Sequence, residues 1–468
     1  MPINSFLYPG VKAPPPFEVA NSVRLDDGSS DNFSKTNTSG NSDTTKFTVS
    51  LWFKKTAFES NGGGLFMIKN ASNNTADKVM LYFLDDKLNC FISDSGGSTE
   101  SNVVPNRVFR DSSAWTHLTY RYDSTQGTDS NRVRIYINGT QETSLGTANY
   151  PDQNHAQPID DSTQTIIGKS VYSNGNTYYF DGYMCEAVLV NGQSLDPTSF
   201  GEFDEDSPTI WKPIDVSGLT FGNDGFYLDF EDSSNLGNDV SGGTDLTENN
   251  IASIDQSTDT CTNNYCVLNP LEPHTNKNTF SEGNIVVSGG SGAWHLARGT
   301  IGLTQGKWYW EVFFSGGTVA NYHAGVQLAS ATSYSNLHSQ AGTTTFYNGD
   351  GGEIFTGSSQ AFTTNDYGTM NGSSDILGVA LNMDDKQITF YKNGSAIVTN
   401  YSLDTPNDTM MPLSVQYGSS QVTKVNFGGT QHTAISSGNS DANGYGNFEY
   451  SVPSGYYSIN SKNLAEFG

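Results

Sequence analysis

The chain has 468 residues, too many for a single hydrophobic core, so two or three domains are expected. Its 23 Lys and Arg face 49 Asp and Glu, a formal charge of −26, so phosphate backbones and anionic lipid headgroups repel it, and neither nucleic acid nor a membrane is an expected partner. Just 15% of residues are charged, while Gly (49), Tyr (24) and Phe (26) are abundant, a composition of turn-rich β-structure. The acidity reads as solubility at high ionic strength, where screening removes self-repulsion.

Residues 1–20 read as an extended arm. Pro9-Gly10 makes a turn, and Pro14-Pro15-Pro16 imposes polyproline II geometry. Phe6, Leu7, Tyr8 and Phe17 are apolar residues without a domain of their own. Two readings stand side by side: a terminus that packs back on the first domain, or a docking arm for a larger assembly. The opening residues lack the charged n-region and continuous apolar run of a secretory signal, so folding in a cytoplasm is expected. No window approaches the roughly 20 apolar residues of a membrane span.

Residues 21–203 form the first domain. Val23 and Leu25 begin a strand, and FTVSLWFKK (Phe47–Lys55) places Phe47, Val49, Leu51 and Phe53 on one face. VMLYFL (Val79–Leu84) and KLNCFIS (Lys87–Ser93) flank an Asp85-Asp86 turn. WTHLTYRYD (Trp115–Asp123) precedes VRIYINGT from Val133, whose Asn-Gly accepts the positive φ of a type I′ hairpin turn. TIIGKS and FDGYMCEAVLVNGQSL follow. "FTVSLWFK", "WTHLTYRYD", "VRIYING" and "FDGYMCEAVLVNGQSL", in that order, resemble a laminin-G-like, concanavalin-A-type lectin domain. The resemblance implies a jelly-roll sandwich of two antiparallel sheets.

Residues 204–265 read as a connector rich in Asp, Asn, Gly, Ser and Thr, interrupted by one strand-like stretch, FYLDFED (Phe226–Asp232). Residues 266–430 form the second domain. GKWYWEVFF (Gly306–Phe314) sets Trp308, Trp310 and Val312 on one face. Leu377, Val379, Leu381 and Met383 alternate, Asp384-Asp385-Lys386 turns the chain, and Ile388 and Phe390 lead to Asn393-Gly394. ITFYKNGS from Ile388 repeats the pattern of VRIYINGT, which predicts two β-sandwiches in tandem. With AGVQLA and "MPLSVQYGSSQVTKVNFG", this half resembles a SPRY domain, a fold implied to be a bent antiparallel sandwich. The tail, 431–468, is Gly/Asn/Ser-rich, with Phe448, Tyr450 and Val452 spaced as a final strand. Its ending, and the order of the modules, resemble SPRY-containing structural proteins of tailed phages, especially marine ones.

Catalytic patterns are weak. Glu202, Asp204 and Asp206 share strand parity in GEFDEDSP but lack the E-x-D-x-x-E spacing of related glucanases, and read as a solvated acidic edge. No G-x-S-x-G elbow is present, and His117 lies within a strand. Cys261-x4-Cys266 has just His274 nearby as a further zinc ligand, so reduced or locally paired thiols are expected instead. Asp26-Asp27 and Asp384-Asp385 read as turn residues rather than Ca²⁺ ligands. The expectation is therefore a non-enzymatic protein with no cofactor and no metal.

Binding chemistry remains. Aromatic faces interspersed with Asp and His suit hydroxyl-rich ligands. Residues 315–372 carry that mixture in Tyr322, His323, Tyr334, His338, Tyr347, Asp350, Asp366 and Tyr367. About half of these aromatics are expected to cover the core or a subunit interface. The resemblances imply an all-β virion protein of two tandem sandwiches, a fibre or a head- or tail-attached appendage. They also imply assembly in the host cytoplasm, contact with other virion proteins through the arm, a homotrimer, and binding to a host-surface glycan or protein. A cellular glycan-binding adhesin is the alternative, and a polysaccharide hydrolase the next.

Overall fold

A computed structural model describes residues 17–468 apart from 39–42, 59–62, 72–76, 95, 160–162, 273–277, 291–293, 317–321, 332–342, 350, 357–360, 363–366, 371–373, 404–407 and 419–420. Strands dominate, and the first sandwich forms around Lys46–Lys55. Its alternate residues Phe47, Val49, Leu51 and Phe53 are almost fully excluded from water and meet Phe83, Phe109 and Phe180 from across the core. Such alternation stabilises a sheet by covering one face, at roughly 1.5–3 kcal/mol per large side chain buried.

Lys46–Lys55 lies between Thr116–Asp123 and Gly182–Asn191, both antiparallel to it. Thr116–Asp123 continues into Val133–Ile137, and Gly182–Asn191 pairs on its other edge with Ser22–Leu25. The facing sheet runs from Leu145–Asn149 through Thr99–Pro105, Lys87–Ser93, Lys78–Leu84, Gly64–Asn70, Thr163–Ile167 and Asn32–Thr36.

Residues 204–265 complete this sandwich. Phe226–Leu228 adds to Gly182–Asn191, Thr247–Asn249 to Asn32–Thr36, and Gln256–Ser257 to Ser22–Leu25. Polar composition conceals the anchors: Phe226, Leu228, Phe230, Leu236 and Leu246 all enter the first core. A few apolar residues at strand positions suffice to fix a segment whose remaining residues make turns.

In the second sandwich, Lys307–Ser315 pairs with Ile376–Asn382 and Val422–Asn426. Ile376–Asn382 continues through Gln387–Lys392 to Ser395–Ser402, the meander expected from the sequence. The facing sheet runs Trp294–Arg298, Met410–Tyr417, Tyr322–Leu328, Thr344–Asn348, Ile354–Thr356 and Ala361–Phe362. Trp308, Trp310 and Val312 fill the core between the sheets. Tyr309 and Glu311 point the other way and are buried beneath the tail, with Phe448 5.2 Å from the Tyr309 ring.

The last strand is Tyr457–Ser458, parallel to Trp308–Tyr309, rather than the Phe448–Val452 alternation. The backbone N–H groups of Glu449 and Tyr450 instead donate to the Glu311 carboxylate, each at 2.9 Å, so a side chain replaces the ladder partner. A short helix, Ser461–Phe467, follows, capped by Asn460.

A buried polar network ties the end of the 204–265 segment to the first sandwich, beside the contacts that join the two sandwiches. Lys54 Nζ donates to Asp259 Oδ2 and Asn264 Oδ1, both at 2.8 Å, and to the Tyr265 carbonyl at 3.0 Å. The Trp115 indole donates to Asp259 Oδ1 at 2.9 Å, leaving the ion pair inaccessible to water yet fully hydrogen-bonded. Tyr183 donates to the Gly283 carbonyl, and Asn284 to the Thr56 carbonyl. Residues 1–16 of the expected arm lie outside the described residues. Phe17 and Val19 pack on the first sandwich with Trp52 and Trp211.

Candidate functional site

The aromatics expected to bind ligand lie largely in the core. Tyr322 and Tyr347 are fully buried on Tyr322–Leu328 and Thr344–Asn348. The Tyr322 hydroxyl donates to the carbonyls of Ser315 and Gly316, and that of Tyr347 to the Gly368 carbonyl. His323 is sandwiched between Trp294 and Phe346, with ring centroids 4.8 and 4.7 Å away. Tyr367 is half-buried against the same core. Tyr334, His338, Asp350 and Asp366 lie outside the described residues.

The physical reason is strand parity. Tyr322 shares a face with Ala324, Val326 and Leu328, so extending the alternation of AGVQLA two residues back puts it in the core. Three of the expected ligand residues are thus packing residues, and much of 315–372 is strand.

An open polar surface lies at the rim of the first sandwich. Asp27, Lys55, Tyr179 and Asp181 line a shallow hollow of about 30 Å³, room for about one water. Lys55 also borders a neighbouring cleft of about 510 Å³ walled by Arg107, Val108 and Arg110. Lys55 is the last residue of the strand that organises the core, which holds it rigidly in place. Its Nζ reaches Asp86 Oδ1 at 2.6 Å, and Arg110 Nε reaches Asp86 Oδ2 at 2.7 Å. Burial lowers the Lys55 pKa, with Asp86 opposing that shift.

Hydroxyl groups can donate to Asp27 and Asp181 here and accept from the Arg107 guanidinium, while Tyr179 and Val108 offer apolar contact. The Lys-Lys ending of an apolar strand in an acidic chain was the available sequence signal for Lys55.

Asp26, Asp27 and Asp181 bring one carboxylate oxygen each within 4.8 Å of the others, the one such grouping among the described residues. Asp26 already accepts N–H bonds from Ser29 and Glu282, and Asp181 accepts from the Thr56 hydroxyl. Those commitments suit a turn and a domain contact more than a cation needing six to eight oxygens.

Lys212 joins Glu202 and Asp204 at 3.3 and 3.4 Å, and Asp204 caps the turn through the N–H groups of Asp206 and Ser207. Cys261 Sγ lies 3.6 Å from Cys185 Sγ, whereas Cys266 approaches the Val267 carbonyl and Thr300. The two thiols therefore face different neighbours. His117 is neutral: Trp211 Nε1 donates to its Nδ1 at 3.0 Å, Ser50 lies 2.8 Å from Nε2, and burial depresses its pKa to about 3.

The family described as the concanavalin A-like lectin/glucanases superfamily matches residues 27–197, and the SPRY domain family matches residues 307–430. No curated protein matches the chain. Among solved structures, the SPRY domain of human HERC1 is 17% identical, covering 36% of this chain and 99% of its own, with a TM-score of 0.30. A native heptameric SAP-like pentraxin from Limulus polyphemus is 15% identical, covering 38% and 79%, at 0.29. The CBM40 of a Ruminococcus gnavus IT-sialidase, bound to α2,3-sialyllactose, is 13% identical, covering 30% and 75%, at 0.24. The protein consists of a jelly-roll, concanavalin A-like lectin domain followed by a SPRY domain.

Proposed function

We propose that this protein is a non-enzymatic adhesion module that attaches to a host-surface glycan or protein as a structural part of a tailed-phage virion. It is a fibre or a head- or tail-attached appendage, assembled in the host cytoplasm and docked to other virion proteins through residues 1–20. Three copies associate, so that weak single contacts add through effective concentration. The observation that carries the reading is the pairing of two binding-type domains through buried contacts of Tyr183 with Gly283 and of Asn284 with Thr56. A joint of this kind holds two recognition surfaces in one fixed relation, which suits adhesion under load. The phage assignment rests on the order of the modules and the form of the tail.

Mass spectrometry of purified virions and an adsorption assay with excess recombinant protein test the reading. The protein should be present in particles and should block their adsorption to host cells. Its absence from particles sinks the virion assignment, and undiminished adsorption sinks the receptor-binding one. Sedimentation of the full chain should give three times the monomer mass.

A further inference from the structure

A second polar depression lies away from the rim, on residues the lectin-like match mostly excludes. Its walls come from the loops 219–225 and 241–244, which follow the matched segment, and from Lys35 and Thr38 of the facing sheet. The groove is open and has a volume of about 650 Å³, in the range of small-ligand sites. Gly222 and Gly242, with φ of 77° and 84°, turn its two loops without adding side chains.

Its floor holds an incomplete set of charges. Lys35 is 6% exposed, its Nζ lies 5.5 Å from the Phe226 ring centroid, and among the described residues its ammonium makes no ion pair or hydrogen bond. Asp224 Oδ1 accepts the N–H and hydroxyl of Thr38 at 2.9 and 3.0 Å, but its Oδ2 is buried and takes no hydrogen bond. Asp239 repeats this arrangement. Its Oδ1 accepts the N–H groups of Tyr227 and Ser241, each at 3.0 Å, and its buried Oδ2 accepts nothing. Burial lowers the Lys35 pKa, and Asp239 and Asp224 act against that shift.

The Lys35 side chain is largely desolvated yet borders the groove, so a molecule there that accepts a hydrogen bond from its ammonium replaces the water it has lost. The charge pattern selects that molecule. One cation between two carboxylates disfavours an anion, and the ammonium disfavours a metal ion. A neutral hydroxyl avoids both conflicts and can accept a hydrogen bond from Lys35. Leu219 and Phe221 supply an apolar wall for ring C–H groups.

We infer that the groove of Lys35, Asp224, Thr244 and Phe221 is a binding site for a neutral, hydroxyl-rich saccharide. The site is separate from the rim and does not depend on the virion assignment.

The test is titration of the full chain with cellotriose, maltotriose and mannotriose as neutral probes and trigalacturonate as the anionic one. At least one neutral trisaccharide should bind with a Kd of about 1 mM or tighter, and trigalacturonate at least tenfold more weakly. Lys35→Met should weaken that binding at least tenfold while leaving the melting temperature unchanged or higher, because a desolvated charge is removed. Thr244→Trp should weaken it similarly by filling the exposed side of the groove. Equal binding of trigalacturonate, no neutral binding at all, or a Lys35→Met chain that melts lower yet binds as well overturns the inference. Host-cell adsorption of the same variants separates the two readings: intact adsorption with lost trisaccharide binding leaves the adhesion role standing and assigns it to another surface.

Discussion

Asn138-Gly139 and Asn393-Gly394 close the same two-residue turn in the two sandwiches, with φ of 47° and 74° in the first and 49° and 76° in the second. In each, the Asn side chain accepts a backbone N–H from the strand alongside, that of His117 at 2.8 Å or of Ile376 at 2.9 Å. Over each glycine lies an aromatic ring from the segment that follows the sandwich. A Cβ on Gly139 would fall 2.3 Å from the Trp211 ring, and one on Gly394 would fall 2.6 Å from Tyr450. The hairpins match, but the clasps differ. Trp211 is buried and hydrogen-bonded to His117, whereas Tyr450 is half-exposed at the edge of an open groove. One local motif has thus become a docking point for two unrelated returning segments, fixed to different degrees.

The largest test of that difference is a side chain at the covered glycine. Gly139→Val combines a β-branched residue at positive φ with a clash against a fixed indole, and should cost about 3–5 kcal/mol. Gly394→Val carries the same backbone strain, but Tyr450 can swing aside, so about 1–3 kcal/mol is expected. Urea unfolding of both variants measures this. Equal losses would show the two clasps to be equally rigid.

A smaller contrast comes from the polar tips of the clasping rings. Trp211→Phe keeps the packing but leaves His117 Nδ1 as a buried acceptor without its donor, a loss of about 1–3 kcal/mol. Among the described residues the Tyr450 hydroxyl has no hydrogen-bond partner, so Tyr450→Phe should stay within about 0.5 kcal/mol of the parent. Thermal unfolding distinguishes the two, and a Tyr450→Phe loss as large as that of Trp211→Phe would erase the distinction.

The hairpins were legible because an Asn-Gly turn is decided by the backbone freedom of two adjacent residues. Their clasps were not, since nothing near Trp211 or Tyr450 marks which distant glycine each one covers. The 204–265 segment misled through its average composition, although FYLDFED already carried three of its anchors, Phe226, Leu228 and Phe230. Tyr322, His323 and Tyr347 misled for another reason. Tyr, His and Asp between Gly and Ser describe a binding loop and a strand under a covering segment equally well. For Tyr322 the parity of AGVQLA decides the matter, but Tyr347 sits in TTFYN, where its face-mate is Thr345 and apolar alternation gives no guidance. The Lys35 groove was out of reach because Lys35, Asp224 and Asp239 meet through tertiary structure alone.

A last comparison concerns the carboxyl group that each outer sheet buries beneath a returning segment. Glu186 stands at a bulge in Gly182–Asn191, with φ of 52°, where the neighbouring strand changes from Ser22–Leu25 to Phe226–Leu228. It accepts the Tyr227 hydroxyl at 2.8 Å, and burial raises its pKa to about 8 against the effect of that bond. Glu311 accepts two backbone N–H groups as well as the Tyr309 hydroxyl at 3.2 Å, and burial raises its pKa to about 7. More donors favour the anion, which keeps the Glu311 shift smaller. In both cases the folded state holds the proton more tightly than an unfolded glutamate, whose pKa is near 4.5. The stability each contributes is complete below that value and is lost as pH rises, through about 7 for Glu311 and about 8 for Glu186. Between pH 7 and 8, therefore, Glu186 loses about three times as much stability as Glu311. Subtracting the unfolding free energy of Glu186→Gln from that of the parent should leave a difference that falls by on the order of 1 kcal/mol over this interval. The same subtraction with Glu311→Gln should fall about a third as far there, with most of its fall between pH 5 and 7. Equal falls over the same interval would mean that the two carboxyls are held alike, and that the extra N–H donors from the tail do not favour the Glu311 anion.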